Sequence, residues 1–130
     1  MTIYSHTYET RPNHSAKAMG SGTLNVLATP ALVAFMENAS YLFAQEQLDS
    51  DFTTVGSEIA IQHLAASAIG DPVTIIITAL KEEGRKYDFR LEAFVGEQLI
   101  GKACHTRVRV NSKHFMAKVA EENKRKEPKR

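Results

Sequence analysis

One cysteine, Cys104, is all that the 130-residue sequence holds. An internal disulfide framework and a cysteine-rich zinc site are both excluded, and a reduced, cytoplasmic setting is the default expectation. No apolar run approaches the ~18 residues of a membrane helix. Residues 1–8 show neither the basic start nor the apolar core of a secretion signal. An excess of charge is missing too: Lys plus Arg number 16 against 15 Asp plus Glu, a net of +1. That balance offers no general attraction to nucleic acid or to an anionic membrane. The sequence has no Gly-x-Ser-x-Gly elbow, Walker loop, Gly-x-Gly-x-x-Gly or His-Glu-x-x-His, and its five histidines lack a metal-ligand spacing.

What is present is an ordinary globular mix. Hydrophobic residues make up 43% and charged residues 24%, enough apolar surface for one domain of this length to bury a core. The last stretch, Lys118 to Arg130, holds six basic and three acidic residues without aromatic interleaving. It reads as a solvated terminus, or as a basic binding arm. Residues 1–119 are therefore expected to form the domain, and 120–130 a charged, flexible tail.

Hydrophobic periodicity divides the domain. Thr2–Tyr8 reads as a short strand, followed by a polar stretch with Pro12, Gly20 and Gly22. Thr29-Pro30 then starts a helix: threonine suits an N-cap, and proline suits the first turn because it has no amide to waste. From Ala31 to about Leu48 neither Gly nor Pro interrupts, and Leu32, Phe35, Ala39 and Phe43 recur at helical spacing. A helix this apolar belongs inside a protein. The period then changes to two. Four strands are expected, over Thr53–Leu64, Val73–Leu80, Tyr87–Val95 and Gln98–Val110, with turns at Glu82-Glu83-Gly84 and Gly96-Glu97. One antiparallel sheet can bury such a helix only by curling around it. The fold class is α+β, in the hot-dog arrangement.

Four positions break the apolar pattern. Glu37 falls inside the buried helix, eight residues after Thr29 and about 12 Å further along its axis. A partly buried carboxylate there is a base or nucleophile, or else a glutamate at the exposed edge of the helix. His63 shares a strand face with Val55, Ile59 and Ile61, a position for a hydrogen-bonded core histidine or for the acid–base partner of Glu37. Gly56 marks a bulge, or close approach of backbone to a ligand. Arg107 shares its strand face with His105, Leu99 and Ala103. If inward, it needs an anion such as Glu37 or a ligand carbonyl or phosphate. Cys104 points to the other face and reads as inert packing.

Three runs carry a resemblance. Residues 27–39, Leu-Ala-Thr-Pro-Ala-Leu-Val-Ala-Phe-Met-Glu-Asn-Ala, form the first. The second is Val55-Gly56-Ser57-Glu58-Ile59-Ala60-Ile61-Gln62-His63. The third is Ile100-Gly101-Lys102-Ala103-Cys104-His105-Thr106-Arg107, with Phe115, Lys118 and Val119 after it. Together they resemble the fluoroacetyl-CoA thioesterase family of hot-dog enzymes over about residues 24–119. The spacing carries the likeness: threonine to glutamate is 8, glutamate to histidine 26, and histidine to arginine 44.

The resemblance implies a catalytic set of Thr29, Glu37 and His63, with Gly56 and Arg107 contacting the acyl-CoA. It also implies a homodimer or dimer of dimers, with substrate along the subunit interface. Helix-start amides at Thr29 could hold an oxyanion, and thioester hydrolysis asks for no metal or cofactor because thiolate is already a tolerable leaving group. One departure stands out. The family's gating phenylalanines before the threonine are replaced here by Gly20 to Val26, Gly-Ser-Gly-Thr-Leu-Asn-Val, so a short or medium acyl chain is expected rather than a fluorinated one. A non-catalytic acyl-CoA sensor is the alternative, and the catalytic trio argues against it.

Overall fold

The structure is a computed structural model and describes residues 2–126. Five strands form one antiparallel sheet: β1 (Tyr4–Tyr8), β2 (Phe52–His63), β3 (Val73–Glu83), β4 (Lys86–Val95) and β5 (Gln98–Asn111). Their spatial order is β1-β3-β4-β5-β2. Helix α2 (Thr29–Gln45) lies against one face, preceded by the short α1 (Ala16–Met19), and α3 (Ser112–Lys126) follows β5. The turns after β3 and β4 each place a glycine at positive φ, Gly84 and Gly96, a conformation that disfavours residues with a Cβ.

The sheet curls where its register slips. The register skips Ser57 in β2, Thr78 in β3 and, opposite Ala93 and Phe94 of β4, Ile100 in β5. Each bulge adds local twist and bends its strand, so the sheet wraps the helix. Leu32, Met36 and Ala39 of α2 are fully buried against Ile75, Ile77, Phe89, Leu91 and Ile100. Burying a side chain such as Leu32 or Met36 contributes roughly 1.5–3 kcal/mol. Ser40, also buried in this helix, satisfies its hydroxyl on the Met36 carbonyl at 2.9 Å. Tyr8 of β1 stacks on Phe35 and donates to Asn38 Oδ1 at 2.7 Å, which ties the first strand to the helix beside Glu37.

Five local expectations change. The N-cap of α2 is Ala28, which makes no side-chain cap, and Thr29 is the first helical residue. In β2 the bulge inverts the alternation. Thr54 is buried and Gly56 faces Glu37, so Val55 between them points to the outer face, while Ile59 and Ile61 after the bulge pack on the core. The polar stretch before α2 contains α1 and a 3-10 turn at Pro12–His14. Finally, α3 crosses the expected domain boundary at 119 and takes in residues 120–126 of the tail; residues 127–130 lie outside the described residues. Cys104 is exposed rather than packed.

Candidate active site

Helix α2 and strand β2 run past each other and bring the marked residues together as two clusters. The first sits at the start of α2. Because Ala28 takes the cap position, the Thr29 hydroxyl is released from capping and lies 2.8 Å from His63 Nδ1 at the end of β2. The His63 ring is half-buried, and burial pushes its pKa below the usual histidine value, since desolvation penalises the charged form. Its other nitrogen, Nε2, is buried without a partner among the described residues. A cavity of about 320 Å³ opens here, lined by Thr29, His63, Leu64, Ala65, Ala66, Ser21 and Val26. The loop carrying α1 forms its wall by folding back, Ala16 N–H donating to the Val26 carbonyl at 2.9 Å.

The second cluster lies two turns further along α2. A Cβ placed on Gly56 would stand 3.1 Å from Glu37 Oε2, 3.3 Å from His105 Cε1 and 3.4 Å from Arg107 Nη1. A bare backbone lets these three side chains share the space under the β2 bulge without a crowded contact. The bulge reading of Gly56 holds, and the groups that approach its backbone here are side chains of this chain. Arg107 is inward and 8% exposed. It does not form an ion pair with Glu37. Its Nε donates to Thr54 Oγ1 at 2.8 Å and its Nη2 to the Thr54 carbonyl at 3.0 Å. Tyr41 of α2 lies under the guanidinium, 6.0 Å from ring centroid to Cζ. Burial lowers the Arg107 pKa, and the charge of Glu37 works the other way.

The five expected site residues thus divide as Thr29 with His63, and Glu37 with Gly56 and Arg107. Within one chain Glu37 and His63 do not meet, because the two clusters are about 12 Å apart along the helix. Two further residues belong to the second cluster, Thr54 and His105. Thr54 escapes a period-2 reading because the bulge reverses the face on which it lies. A larger depression, about 550 Å³, lies on the outer face of the sheet among Ala60, Gln62, Arg90, Glu92, Lys102 and Cys104. It is remote from both clusters. Among the described residues no group of three or more His, Cys, Asp or Glu could hold a metal ion, and no helix is long and apolar enough to cross a membrane.

Comparison with known proteins gives the family and the fold. Residues 10–113 match the family described as fluoroacetyl-CoA-specific thioesterase. The fluoroacetyl-CoA thioesterase of Streptantibioticus cattleyicolor is 32% identical over 94 residues, covering 72% of this chain and 68% of that protein. A crystal structure of a point mutant of the fluoroacetyl-CoA-specific thioesterase, in complex with fluoroacetate and CoA, superposes with a TM-score of 0.85 at 26% identity. It covers 92% of this chain and 98% of the other. A thioesterase superfamily member from Thermus thermophilus shares the fold, with a TM-score of 0.84 at 24% identity over 93% and 90% of the two chains.

Proposed function

The chain belongs to the fluoroacetyl-CoA-specific thioesterase family and is a thioester hydrolase, and from that premise we propose that it cleaves short or medium acyl-CoA thioesters with Thr29, Glu37 and His63. The observation that carries the reading is the 2.8 Å contact between Thr29 Oγ1 and His63 Nδ1. It holds the imidazole beside a small cavity of mixed polar and apolar lining, with Nε2 lacking a partner among the described residues. The acyl carbonyl lies near the start of α2, where amides unpaired within the helix and the positive dipole end stabilise a developing oxyanion.

Two routes share this geometry. Glu37 removes a proton from a water that adds to the carbonyl carbon, or its carboxylate adds to that carbon itself and water then cleaves the anhydride. In both, the C–S bond breaks and the thiolate leaves with a proton relayed by His63. The products are the free acid and CoA. Gly56 and Arg107 contact the acyl-CoA beside Glu37.

Bringing Glu37 to His63 requires a second subunit. Strand β2 is an edge of the sheet, and a free strand edge is a template for pairing with another chain. Two β2 strands pairing antiparallel about a two-fold axis near Ile59 and Ala60 set Gly56 of one subunit opposite His63 of the other. The site is then composite, with Thr29 and His63 from one subunit and Glu37, Gly56 and Arg107 from the other. The homodimer is the working unit, and a dimer of dimers would preserve the same site. The unpaired, exposed Cys104 suits the reducing cytoplasm.

Mixing inactive variants tests this reading. Glu37→Gln and His63→Ala are each expected to release little thiol from acetyl-CoA or propionyl-CoA. Unfolded and refolded together, they form hybrid dimers with one intact site, and activity returns. No recovery in hybrids of twice 14.4 kDa would place the catalytic groups in one chain. Tight binding of acyl-CoA by the parent protein without any thiol release would make it a sensor.

A further inference from the structure

His105 is the buried titratable group that the proposed mechanism leaves unused. It is 2% exposed and makes two hydrogen bonds, one from each ring nitrogen. Nδ1 lies 2.7 Å from the Glu58 carbonyl oxygen, just past the β2 bulge. A carbonyl only accepts, so Nδ1 carries the proton. Nε2 lies 3.1 Å from Arg107 Nη1, and a guanidinium only donates, so Nε2 holds the lone pair. Two independent partners thus specify the same neutral tautomer. The surroundings agree. Glu37 and Tyr41 face this pair from α2, and Phe89 of β4 stacks on the imidazole at 6.4 Å. Burial, joined by the Arg107 charge, lowers the His105 pKa, against the opposing effects of the Glu58 hydrogen bond and Glu37.

The consequence falls on Arg107. A guanidinium has five N–H groups in a rigid fork. Here Nε and Nη2 each give a proton to Thr54, and Nη1 gives one to His105. The protons left are one on each Nη, and Nη1 borders the space between Gly56 and Glu37.

We propose that His105 is the positioning residue of this site: its Nε2 lone pair, aimed by the Glu58 carbonyl, takes one Nη1 proton of Arg107 and turns the other toward the ligand beneath Gly56. The inference rests on the acyl-CoA reading for the nature of that ligand. The pairing also gives the bulge a function, since the carbonyl that orients the imidazole sits where the register shifts.

The test separates this role from structural packing. In the unmodified protein, nitrogen-15 spectra of labelled histidine at pH 7 show His105 neutral with its proton on Nδ1; an Nε2-protonated ring or an imidazolium overturns the proposal. Two variants then divide the functions of the ring. His105→Asn can still donate to Glu58 but is too short for Arg107, whereas the glutamine oxygen of His105→Gln reaches the Nε2 position. With kcat within about 3-fold of the parent, the asparagine variant has KM raised about 10-fold or more, the size of one lost charge-assisted hydrogen bond. The glutamine variant rescues at least about 5-fold of that loss. Equal KM values in the two variants, or a change confined to Tm, would overturn the proposal. If the parent protein hydrolyses no acyl-CoA, the functional reading falls by itself. The same comparison, read as Kd for acetyl-CoA, then decides the role of His105.

Discussion

Thr29 Oγ1 and His63 Nδ1 lie 2.8 Å apart, joining the first residue of α2 to the last residue of β2. The contact exists because Ala28, not Thr29, occupies the N-cap. A threonine spent on capping would have its oxygen turned back to the helix amides. Released from that duty, it orients an imidazole.

The two roles make different forecasts for Thr29→Val. A lost cap costs about 1 kcal/mol of stability, whereas a lost orienting hydroxyl costs turnover. We expect kcat to fall about 10-fold or more with Tm within about 2 °C of the parent. Thr29→Ser should recover most of the activity. A variant that is destabilised yet fully active would return Thr29 to a capping role.

The sequence showed this pairing only in part. The long apolar run through Leu32, Phe35 and Ala39 and the alternation in Tyr87–Val95 made the helix and the curled sheet legible, because burial imposes those periods. The bulge was not legible. One inserted residue near Gly56 reverses the alternation, so a strict period of two turns Val55 inward and hides Thr54. The cap position also lies below the resolution of pattern reading, since helix ends shift by a residue or two. Glu37 and His63 stood out as polar residues on apolar faces. Their separation within one chain could not be read, because it depends on which stretch of β2 each part of α2 crosses. In the sequence His105 stands out only as a neighbour of Arg107 on one strand face, and its role depends on the Glu58 carbonyl, a backbone group no side-chain pattern reveals.

Gly56→Ala tests the second cluster. The new Cβ would stand 3.1 Å from Glu37 Oε2 and 3.3 Å from His105 Cε1, so these two side chains must give by a few tenths of an ångström, while Arg107 Nη1 at 3.4 Å is in ordinary contact. Glu37 can swing outward at little cost to packing, and the loss is expected in kcat/KM, about 10-fold or more, with Tm lowered by only a few degrees. Steady-state kinetics with a parallel thermal melt measures both. Parent-like kcat/KM would mean that the space under Gly56 is not used by the substrate.

Stability should fall in mild acid. Burial holds His63 and His105 below the ordinary histidine value of 6.5, so in the folded protein they bind protons less readily than in the unfolded chain. The unfolded state therefore carries more protons as pH drops below 6.5, and the native state loses ground. The contribution is fully present above that pH and is lost as pH falls through the folded values. Thermal melts between pH 7.5 and 5 should show Tm declining, with a shallower decline in His105→Gln. A Tm that stays level or rises over that range contradicts the buried, neutral state of both rings.

Acyl selectivity should be broad. The segment Gly20 to Val26 carries no aromatic side chain, and only Ser21 and Val26 of it line the cavity at His63; Leu24 is 66% exposed. Nothing in it reads fluorine. Preference for fluoroacetyl-CoA over acetyl-CoA is expected below ~10-fold, under ~1.4 kcal/mol of discrimination. A panel of acyl-CoAs of increasing length, compared by kcat/KM, measures it, and a far larger preference would locate a gate elsewhere.

The central claim is that Glu37 and His63 act as one catalytic unit on a thioester, and kcat of Glu37→Gln measures it most directly. The substitution keeps shape and hydrogen bonding and removes only the basic carboxylate. It should lower kcat by roughly 10²-fold or more while leaving Tm near the parent value. His63→Ala should produce a comparable loss, and the double variant should be little worse than the poorer single one, since groups acting as a unit are not additive. Folded Glu37→Gln protein with near-parent turnover would contradict the mechanism.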